Sequence, residues 1–567
     1  MAEIVRRGRF AAAEPLFEPG PAVQLQRRGR QPRGRMALVE FGRGGGRVLR
    51  DLGSPERARD VTAALLWERG PGTGFPRRLE EEAADAADAA AAPPGAPRRD
   101  LTGLATFTVD PATARDFDDA VSARREEDGL RLWIHIADVA AHVPPASPLD
   151  REAYARANST YVPGAVAPML PAALSNRACS LEPGVERLAV TTEVELGPDG
   201  RPGRTAFYRS RIRSDARLDY DQLDRIFAGR EKPPAEVAES LELARTAAAA
   251  LGARRSTGEL EVTSAEPEFE FDEQGEVTGA HRVEQTEAHR LIERLMILTN
   301  ERVAELLEQR RLPALYRVHE QPDPERVARM VEQLASLDLP TPPLPERLAP
   351  REAAGLAAQA SRMVSAEGAR RGHGGGVWTS LVLRALRQAA YSDRNIGHAG
   401  LASDAYCHFT SPIRRYPDLL VHRALLSAVT GEEEAPSRDL VSEAAWHCSE
   451  REREAARLER DADDVCAAFL LERELFGSGW ERSFEGEVSG VIGAGAFVAF
   501  AGDLGDVYEG FLPARRLRGE RFELNEPETA LVGTKTGRSL RLGDPVSVRV
   551  ERIECHRGRV DLDPVVG

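Results

Sequence analysis

The spacing of apolar and polar residues predicts β-structure at both ends of the chain. Residues 1–55 contain short apolar segments, such as 35–41, that are separated by Gly and Pro, and residues 484–564 show the same pattern. Short alternating strands with this punctuation are typical of small β-barrels. We therefore expect one small barrel near each end of the chain.

Longer periodic segments between these ends predict helices. The predicted helices are 54–69 (with Ser54 as its N-cap), 76–92, 235–255, 285–309, 350–366, 378–391 and 436–474. The Pro-rich segment 92–97 indicates a linker. Strands and helices together predict an α+β multidomain protein.

One β-hairpin is predicted more specifically. Residues 130–136 alternate as a strand does, and Asp128-Gly129 before them is typical of a hairpin turn. An apolar segment at 104–109 predicts a further strand earlier in the chain, just before residues 110–119. Residues 110–119 are therefore predicted to form a loop that enters a strand pair.

Composition limits the class of protein. A chain of 567 residues with 42% hydrophobic residues is long enough for three or four domains. Its longest apolar runs are far shorter than a membrane span. The five cysteines form no CxxC pair, which argues against a disulfide framework or a zinc site. We therefore expect a cytoplasmic protein without membrane association.

The net charge of −15 at first argues against a nucleic-acid partner, but the charge is unevenly distributed. Residues 1–50 carry eleven Arg and only four acidic residues, and a basic tract occupies 27–35. This tract could be a nucleic-acid patch or a solvated arm, and the sequence leaves both open.

Four aspartates in ten residues are the strongest candidates for chemistry: Asp110, Asp116, Asp118 and Asp119. Carboxylates this close repel one another unless a cation neutralises them. Oxygen ligands without nearby Cys or His indicate magnesium, with manganese as the alternative. Because protein-bound magnesium often shares its coordination with phosphate, the cluster predicts phosphoryl chemistry. The competing interpretation is a solvated acidic turn.

Two further segments could contact phosphate or bases. Segment 406–423 places Arg414 and Arg415 beside hydroxyl and aromatic residues, which suits bidentate phosphate recognition or a structural arginine–carboxylate network. The Pro-rich segment 158–171 contains Tyr161, which could stack on a base or pack in a core.

An ordered set of motifs carries a family resemblance. The motifs are TVDPATARDFDDAV, HIADVAAHV, YVPGAVAPMLP, LSNRACSL, LIERLMILTN, YRVH and HFTSPIRRYPDL. In this order they resemble the catalytic RNB domain of the RNase II/RNase R exoribonucleases, over about residues 100–430. The arginine pair before Tyr416 resembles the RNase R type more than the RNase II type. The last barrel resembles the S-one-type OB domain that ends these enzymes.

The resemblance implies a mixed α/β RNB catalytic core flanked by small all-β, OB-like barrels. The implied domains are an N-terminal barrel plus helix (1–75), a helix and linker (76–99), the RNB domain (100–430), a helical extension (431–480) and an RNA-binding OB domain (481–567).

It also implies a function: a magnesium-dependent, hydrolytic 3′-to-5′ exoribonuclease that degrades single-stranded RNA to nucleoside 5′-monophosphates, as a monomer without an obligate protein partner. A catalytically inactive RNA-binding scaffold of the same fold is the alternative. The four aspartates would form the metal site, with Asp118 the most critical for cleavage.

The remaining roles carry over by position. Tyr161 resembles the tyrosine that sets the length of the end product, and Arg414 resembles the arginine at the scissile phosphate. Tyr220 and Glu293 match positions that orient the terminal nucleotides, and Arg415 is assigned to substrate binding.

This sequence also departs from the family pattern. The N-terminal part has room for one barrel where two are usual. Arg294 stands where the family commonly has a second acid, and Ala494 stands where an aromatic is usual. The remaining aromatics of the last barrel could stack on bases or form its core: Phe497, Phe500, Tyr508 and Phe511.

Overall fold

The computed structural model describes the chain except for Arg9, 27–31, Arg43, 90–96, 256–265, 346–347, Glu432 and 566–567. Most of the predicted basic tract and of the predicted linker therefore lies outside the described residues.

The chain begins with a five-stranded antiparallel sheet, which confirms the predicted β-structure of residues 1–55. Its strands are β1 (Ala2–Arg7), β2 (Phe10–Pro15), β3 (Val23–Gln24), β4 (Met36–Gly42) and β5 (Gly45–Gly53). They are ordered β3-β2-β1-β4-β5, and a bridge between Leu25 and Gly46 brings the two edges together in a barrel-like curl.

Two helices follow this sheet, α1 (Ala58–Arg69) and α2 (Arg77–Ala89). Both were predicted, but the predicted N-cap of α1 was wrong. The Ser54 amide donates to the Asp60 carboxylate at 2.7 Å, which holds Ser54 outside the helix. The N-cap is instead Arg57, whose side chain makes no capping hydrogen bond.

The central domain is built on a seven-stranded sheet of order β14-β7-β8-β9-β12-β13-β6. Short strand pairs accompany it. The strands are β6 (Arg99–Asp100), β7 (Thr106–Asp110), β8 (Asp119–Glu126), β9 (Gly129–Ala137), β10 (Thr160–Val162), β11 (Ala165–Ala167), β12 (Glu186–Leu196), β13 (Pro202–Arg213), β14 (Ala216–Asp219), β15 (Glu266–Phe271), β16 (Val277–Val283), β17 (Tyr316–Val318) and β18 (Ala390–Ser392). The predicted hairpin is confirmed, since Glu126 of β8 pairs with Gly129 of β9.

Helices lie over and beside this sheet, except that the three helices within residues 324–385 pack against one another and against the C-terminal β-structure. They are α3 (Pro148–Arg156), α4 (Tyr220–Phe227), α5 (Ala238–Arg255), α6 (Glu287–Gln309), α7 (Pro324–Ser336), α8 (Pro350–Arg371), α9 (Gly375–Ala385) and α10 (Tyr416–Val429). Phe107 and Ile134 of the sheet and Leu295 of α6 are fully buried in one core. This core fixes α6 against the sheet edge where the aspartates lie.

The prediction of helix at 378–391 was wrong at its C-terminal end. Helix α9 ends at Ala385, and Tyr391 lies in β18, which pairs with β17. The Tyr391 amide donates to the Ser449 hydroxyl at 2.9 Å, so a distant residue stabilises the extended conformation.

A single 41-residue helix, α11 (Arg438–Ser478), joins the central domain to the C-terminal one. At 1.5 Å per residue it is about 60 Å long. It contacts α1, β10, β16 and β18 along the way. This confirms the long helix predicted at 436–474.

The second predicted barrel is confirmed at the C-terminal end. Its strands are β19 (Ser483–Ile492), β20 (Gly495–Phe500), β21 (Tyr508–Pro513), β22 (Phe522–Leu524), β23 (Ala530–Gly533), β24 (Ser539–Arg541), β25 (Pro545–Glu554) and β26 (Arg559–Pro564). Five of these close in the order β19-β20-β21-β26-β25, and β22 to β24 form a separate sheet. Trp378 of α9 packs against this domain and donates its indole N–H to Leu542 O at 3.0 Å.

The predicted fold class, a mixed α/β core between small all-β units, is therefore confirmed. Over the described ranges, no helix is both long and apolar enough to cross a bilayer.

Candidate active site

The aspartate cluster lies at one edge of the central sheet. Strand β7 ends at Asp110 and β8 begins at Asp119, so the loop between them holds Asp116 and Asp118. Asp219 of β14 lies beside Asp110 in the parallel register. The sequence therefore predicted the position of the loop correctly.

Side-chain contacts hold the aspartate loop in place. The Ser180 hydroxyl accepts a hydrogen bond from the Phe117 amide at 3.1 Å and donates one to Arg115 O at 2.8 Å. At the start of the loop, Arg217 donates to the carbonyl oxygens of Pro111 and Ala112. These contacts fix the loop backbone, although its acidic side chains repel one another.

All nine residues predicted for the site line one cavity of about 1140 Å³. They come from separate parts of the chain: Asp110, Asp116, Asp118, Asp119, Tyr161, Tyr220, Glu293, Arg414 and Arg415. No sequence pattern predicted the distances between these segments, so their convergence is a finding of the structure.

Asp118 lies at the centre of this arrangement and is 4% exposed. Its Oδ1 accepts a hydrogen bond from the Ile413 amide at 2.8 Å, and its Oδ2 lies 3.7 Å from Arg414 Nε. The aspartate loop is thereby connected to a segment almost three hundred residues later in the chain.

Burial makes the ionised forms of these aspartates unfavourable. Burial, together with the charges of Asp119 and Asp116, raises the pKa of Asp110 to about 8. Burial also raises the pKa of Asp119 to about 7 and that of Asp118 well above its usual range, with Arg414 partly opposing both shifts. A cation beside these groups would favour their ionised forms.

The residues fit such a cation by their chemistry. Asp110 Oδ2 and Asp118 Oδ2 are buried and accept no hydrogen bond from the described residues. Orphaned carboxylate oxygens of this kind suit a hard divalent ion. The side chains are not already gathered around one point, since the described part of the chain contains no group of three or more His, Cys, Asp or Glu arranged as a metal site.

Tyr161 connects the aspartates to the long helix. Its hydroxyl donates to Asp116 Oδ2 at 3.0 Å, and its backbone N–H donates to Glu459 of α11 at 2.8 Å. The side chain is 40% exposed, so core packing, one of the two alternatives for Tyr161, is not observed. Its ring faces the cavity.

The two predicted arginines differ in their contacts. Arg415 donates to Asp418 at 2.8 Å, and Asp418 also accepts from the Ser411 amide. Arg414 contacts the Ser411 hydroxyl at 3.1 Å, and its side chain remains 44% exposed. Arg415 thus stabilises the start of α10, whereas Arg414 has its guanidinium available to a ligand.

Tyr220 and Glu293 lie on two neighbouring helices. Tyr220 is the first residue of α4, and its ring stacks on His289 of α6 with centroids 4.0 Å apart. Glu293 lies one turn further along α6 and is exposed to the cavity.

Asn300 of α6 also lines the cavity, although no sequence pattern predicted a role for it. Asn300 donates to the Tyr406 hydroxyl and accepts from the Phe409 amide, both at 3.0 Å. It therefore holds the segment that precedes Ile413 and Arg414. Nothing in the local sequence around Asn300 indicates a contact with residues more than a hundred positions away.

The cavity also has an acidic wall that was not predicted, formed by Glu266, Glu268, Glu459 and Asp463. The first two lie on β15 and the others on α11. The spacing of Glu459 and Asp463 by four residues, which places them on one helix face, was a signal that could have found half of this wall.

Comparison with known proteins places the chain in a family. The RNB domain family matches residues 98–431. Ribonuclease R of Aquifex aeolicus is 35% identical over 525 residues, covering 91% of this chain and 72% of that protein. Ribonuclease R of Escherichia coli is 34% identical over 508 residues, covering 86% of this chain but only 60% of the relative.

A solved structure gives the same result. Mycoplasma genitalium RNase R in complex with ribose-methylated single-stranded RNA superimposes with a TM-score of 0.81 at 27% identity, over 92% of this chain and 80% of that one. The fold and the carboxylate-rich cavity are thus those of a hydrolytic nuclease with an RNB domain. The chain belongs to the RNase II/RNase R family of 3′-to-5′ exoribonucleases.

Proposed function

We propose that this chain removes nucleoside 5′-monophosphates from the 3′ end of single-stranded RNA by metal-dependent hydrolysis, with magnesium as the metal. The observation that carries the proposal is the contact between Asp118 and Arg414. In this contact, Asp118 Oδ2 lies 3.7 Å from Arg414 Nε. The oxygen is buried and has no hydrogen-bond partner among the described residues, whereas the guanidinium is largely free.

The aspartates Asp110, Asp116, Asp118 and Asp119 are proposed to hold the metal. When bound, magnesium supplies positive charge that neutralises these carboxylates and the scissile phosphate. Arg414 donates to the same phosphate and stabilises the charge that develops there. Manganese offers similar coordination chemistry and is the alternative ion.

The remaining cavity residues are proposed to position the end of the RNA. Tyr161 and Tyr220 present aromatic rings on which bases can stack. Glu293 is exposed beside Tyr220 and orients the terminal nucleotides, and Arg415 contributes to substrate binding by holding the backbone beside Arg414. Contacts with 2′-hydroxyl groups would select RNA over DNA.

The C-terminal barrel is proposed to bind RNA upstream of the cavity. Phe500 and Tyr508 are buried, so these two predicted stacking candidates belong to the barrel core. Phe497 and Phe511 lie partly exposed on adjacent strands with ring centroids 5.2 Å apart. Their shared face offers a stacking surface.

We also propose domain limits of 1–75, 76–99, 100–430, 431–480 and 481–567, and a monomeric enzyme of the cytoplasm without an obligate protein partner. All five cysteines are buried and unpaired, which fits a reducing compartment.

The test uses a 5′-labelled single-stranded RNA and the DNA of the same sequence, each with magnesium or with EDTA. The proposal expects progressive shortening of the RNA to a short limit product with magnesium, and intact DNA. If the protein bound RNA tightly but did not shorten it with any added metal, the result would instead support an inactive RNA-binding scaffold.

A further inference from the structure

A second cavity, of about 450 Å³, lies beside the catalytic one. Helix α6 separates the two, because Glu293 and Asn300 line the catalytic cavity whereas Arg294 and Glu301 line the second. Leu401 lines both cavities, so they are neighbours across one side chain. We call the second one the arginine cavity.

The arginine cavity is strongly basic, although the whole chain is acidic. Five arginines line it: Arg201, Arg254, Arg255, Arg294 and Arg302. Three of them have a carboxylate partner, since Arg201 pairs with Asp199, Arg255 with Glu301 and Arg302 with Glu305. Within the described ranges, neither Arg254 nor Arg294 has one. Two guanidinium charges are therefore available to an anion.

The position of Arg294 is specifically accommodated by the neighbouring helix. A Cβ built on Gly252 of α5 would lie 2.1 Å from Arg294 Cζ, so a side chain at this position would displace the guanidinium from where it lies. Arg294 also donates to Ala248 O of the same helix at 3.2 Å. These two contacts hold the guanidinium at the cavity wall.

We propose that the arginine cavity binds the phosphate monoester of a nucleoside 5′-monophosphate. Guanidinium groups match the geometry of phosphate oxygens, and a cavity of this size is within the range of small-molecule sites. The choice of a mononucleotide rests on the proposed function, because that product would form in the cavity on the other side of Leu401.

The test measures binding of radiolabelled adenosine 5′-monophosphate to the full-length Asp118→Asn protein by equilibrium dialysis. EDTA is present to remove metal-supported binding in the catalytic cavity. One saturable site per chain is expected. Inorganic phosphate should compete if the phosphate group alone is recognised, and adenosine should not compete. Competition by adenosine equal to that of the monophosphate would overturn the proposal.

Variants assign the binding to the arginine cavity. Arg254→Gln and Arg294→Gln should each weaken binding tenfold or more, and Gly252→Ala should do the same while keeping every charge. The matched control is Arg384→Gln, which removes an arginine from a separate cavity beside the C-terminal barrel and should leave affinity within twofold. Arg254 is exposed, so its replacement preserves folding and keeps the test decisive.

The outcomes separate the two proposals. If the wild-type chain bound the monophosphate but did not hydrolyse RNA, the proposed function would be overturned. The assignment of the arginine cavity would then stand. If the wild-type chain hydrolysed RNA normally but did not bind the monophosphate, only the proposal for the arginine cavity would be overturned. The same would follow if Arg254→Gln and Arg294→Gln left monophosphate binding unchanged.

Discussion

At the scale of single residues, Asp118 makes two kinds of contact that one substitution can separate. Asp118→Asn keeps an oxygen that can accept from the Ile413 amide, but it removes the charge beside Arg414. We expect RNA hydrolysis to fall by more than about 100-fold, as for the loss of a group that holds a metal. RNA binding should persist. Single-turnover assays and filter binding on the same protein measure both.

A matched control for this variant is Asp221→Asn, at an exposed position one residue after Tyr220. Its hydrolysis rate should stay within twofold of the wild type. Substantial turnover by Asp118→Asn would contradict the role assigned to Asp118.

Tyr161 allows a similar separation of its ring from its hydroxyl. Tyr161→Phe removes the hydrogen bond to Asp116 and keeps the ring, so the limit product should keep its length. Tyr161→Ala removes the stacking surface, and the RNA should dissociate at a different, longer limit product. Denaturing gels of completed reactions distinguish the two. Identical products from wild type and Tyr161→Ala would contradict this role.

At the scale of elements, Ser180 fixes the aspartate loop. Ser180→Ala leaves the Phe117 amide and Arg115 O without their partner, which should cost about 1–3 kcal/mol of stability. Because the loop becomes less ordered, half-maximal activity should require more magnesium. Urea unfolding and metal titrations measure the two effects.

The control for Ser180→Ala is Ser175→Ala, in the same buried segment, where the hydroxyl contacts Pro171 O at 3.4 Å and Asn176. It should leave the magnesium requirement unchanged. If both variants shifted the requirement equally, the effect would belong to the segment as a whole.

We expect Asp463 of α11 to make RNA binding depend on pH. Burial and the charges of nearby carboxylates raise the pKa of Asp463 to about 7. Asp463 is therefore mostly neutral at pH 6 and charged at pH 8, when it repels RNA phosphates in the cavity. The comparison uses two proteins that both carry Asp118→Asn, with EDTA present, and only one of them also carries Asp463→Asn. Between pH 6 and pH 8, RNA affinity should fall more steeply in the protein that keeps Asp463. The control Glu454→Gln, exposed on the same helix, should keep the steeper fall.

The sequence predicted those elements whose signals are local. The aspartate loop and the hairpin after it each occupy a few adjacent residues, so their pattern was sufficient. The end of α9 was wrong because Tyr391 is held by Ser449 of α11, which lies 58 residues away. The start of α1 was wrong because Asp60 holds Ser54 outside the helix.

Prediction of the candidate active site was limited in the same way, by contacts between residues that are distant in the sequence. The family resemblance predicted nine residues that line one cavity, but the spacing of the motifs could not show that Arg414 and Arg415 differ in their contacts. That distinction depends on Asp418, which holds only Arg415. Asn300 was missed because its contacts with Tyr406 and Phe409 arise from tertiary packing.

At the scale of the whole molecule, Glu474 joins α11 to the C-terminal barrel. Its buried carboxylate accepts from the Asp503 and Leu504 amides and from the Tyr508 hydroxyl, and it pairs with Arg482 at 3.0 Å. Glu474→Ala should destabilise the barrel by about 3 kcal/mol. Hydrogen exchange should then increase in β20 and β21, while the central sheet keeps its protection.

The control for this variant is Glu481→Ala, whose side chain is 90% exposed and pairs only with Arg549 among the described residues. It should change stability by less than about 0.5 kcal/mol. If hydrogen exchange in the barrel were equal in the two variants, Glu474 would not be the residue that joins α11 to the barrel.

The hydrogen bond from Ile413 to Asp118 also has a consequence for biosynthesis. Residues 110–119 leave the ribosome long before residues 413 and 414, and the catalytic cavity needs both segments. A nascent chain therefore contains all four aspartates without an assembled centre. We therefore expect this chain to cleave neither the ribosome's own RNA nor the messenger being translated until synthesis of the central domain is complete.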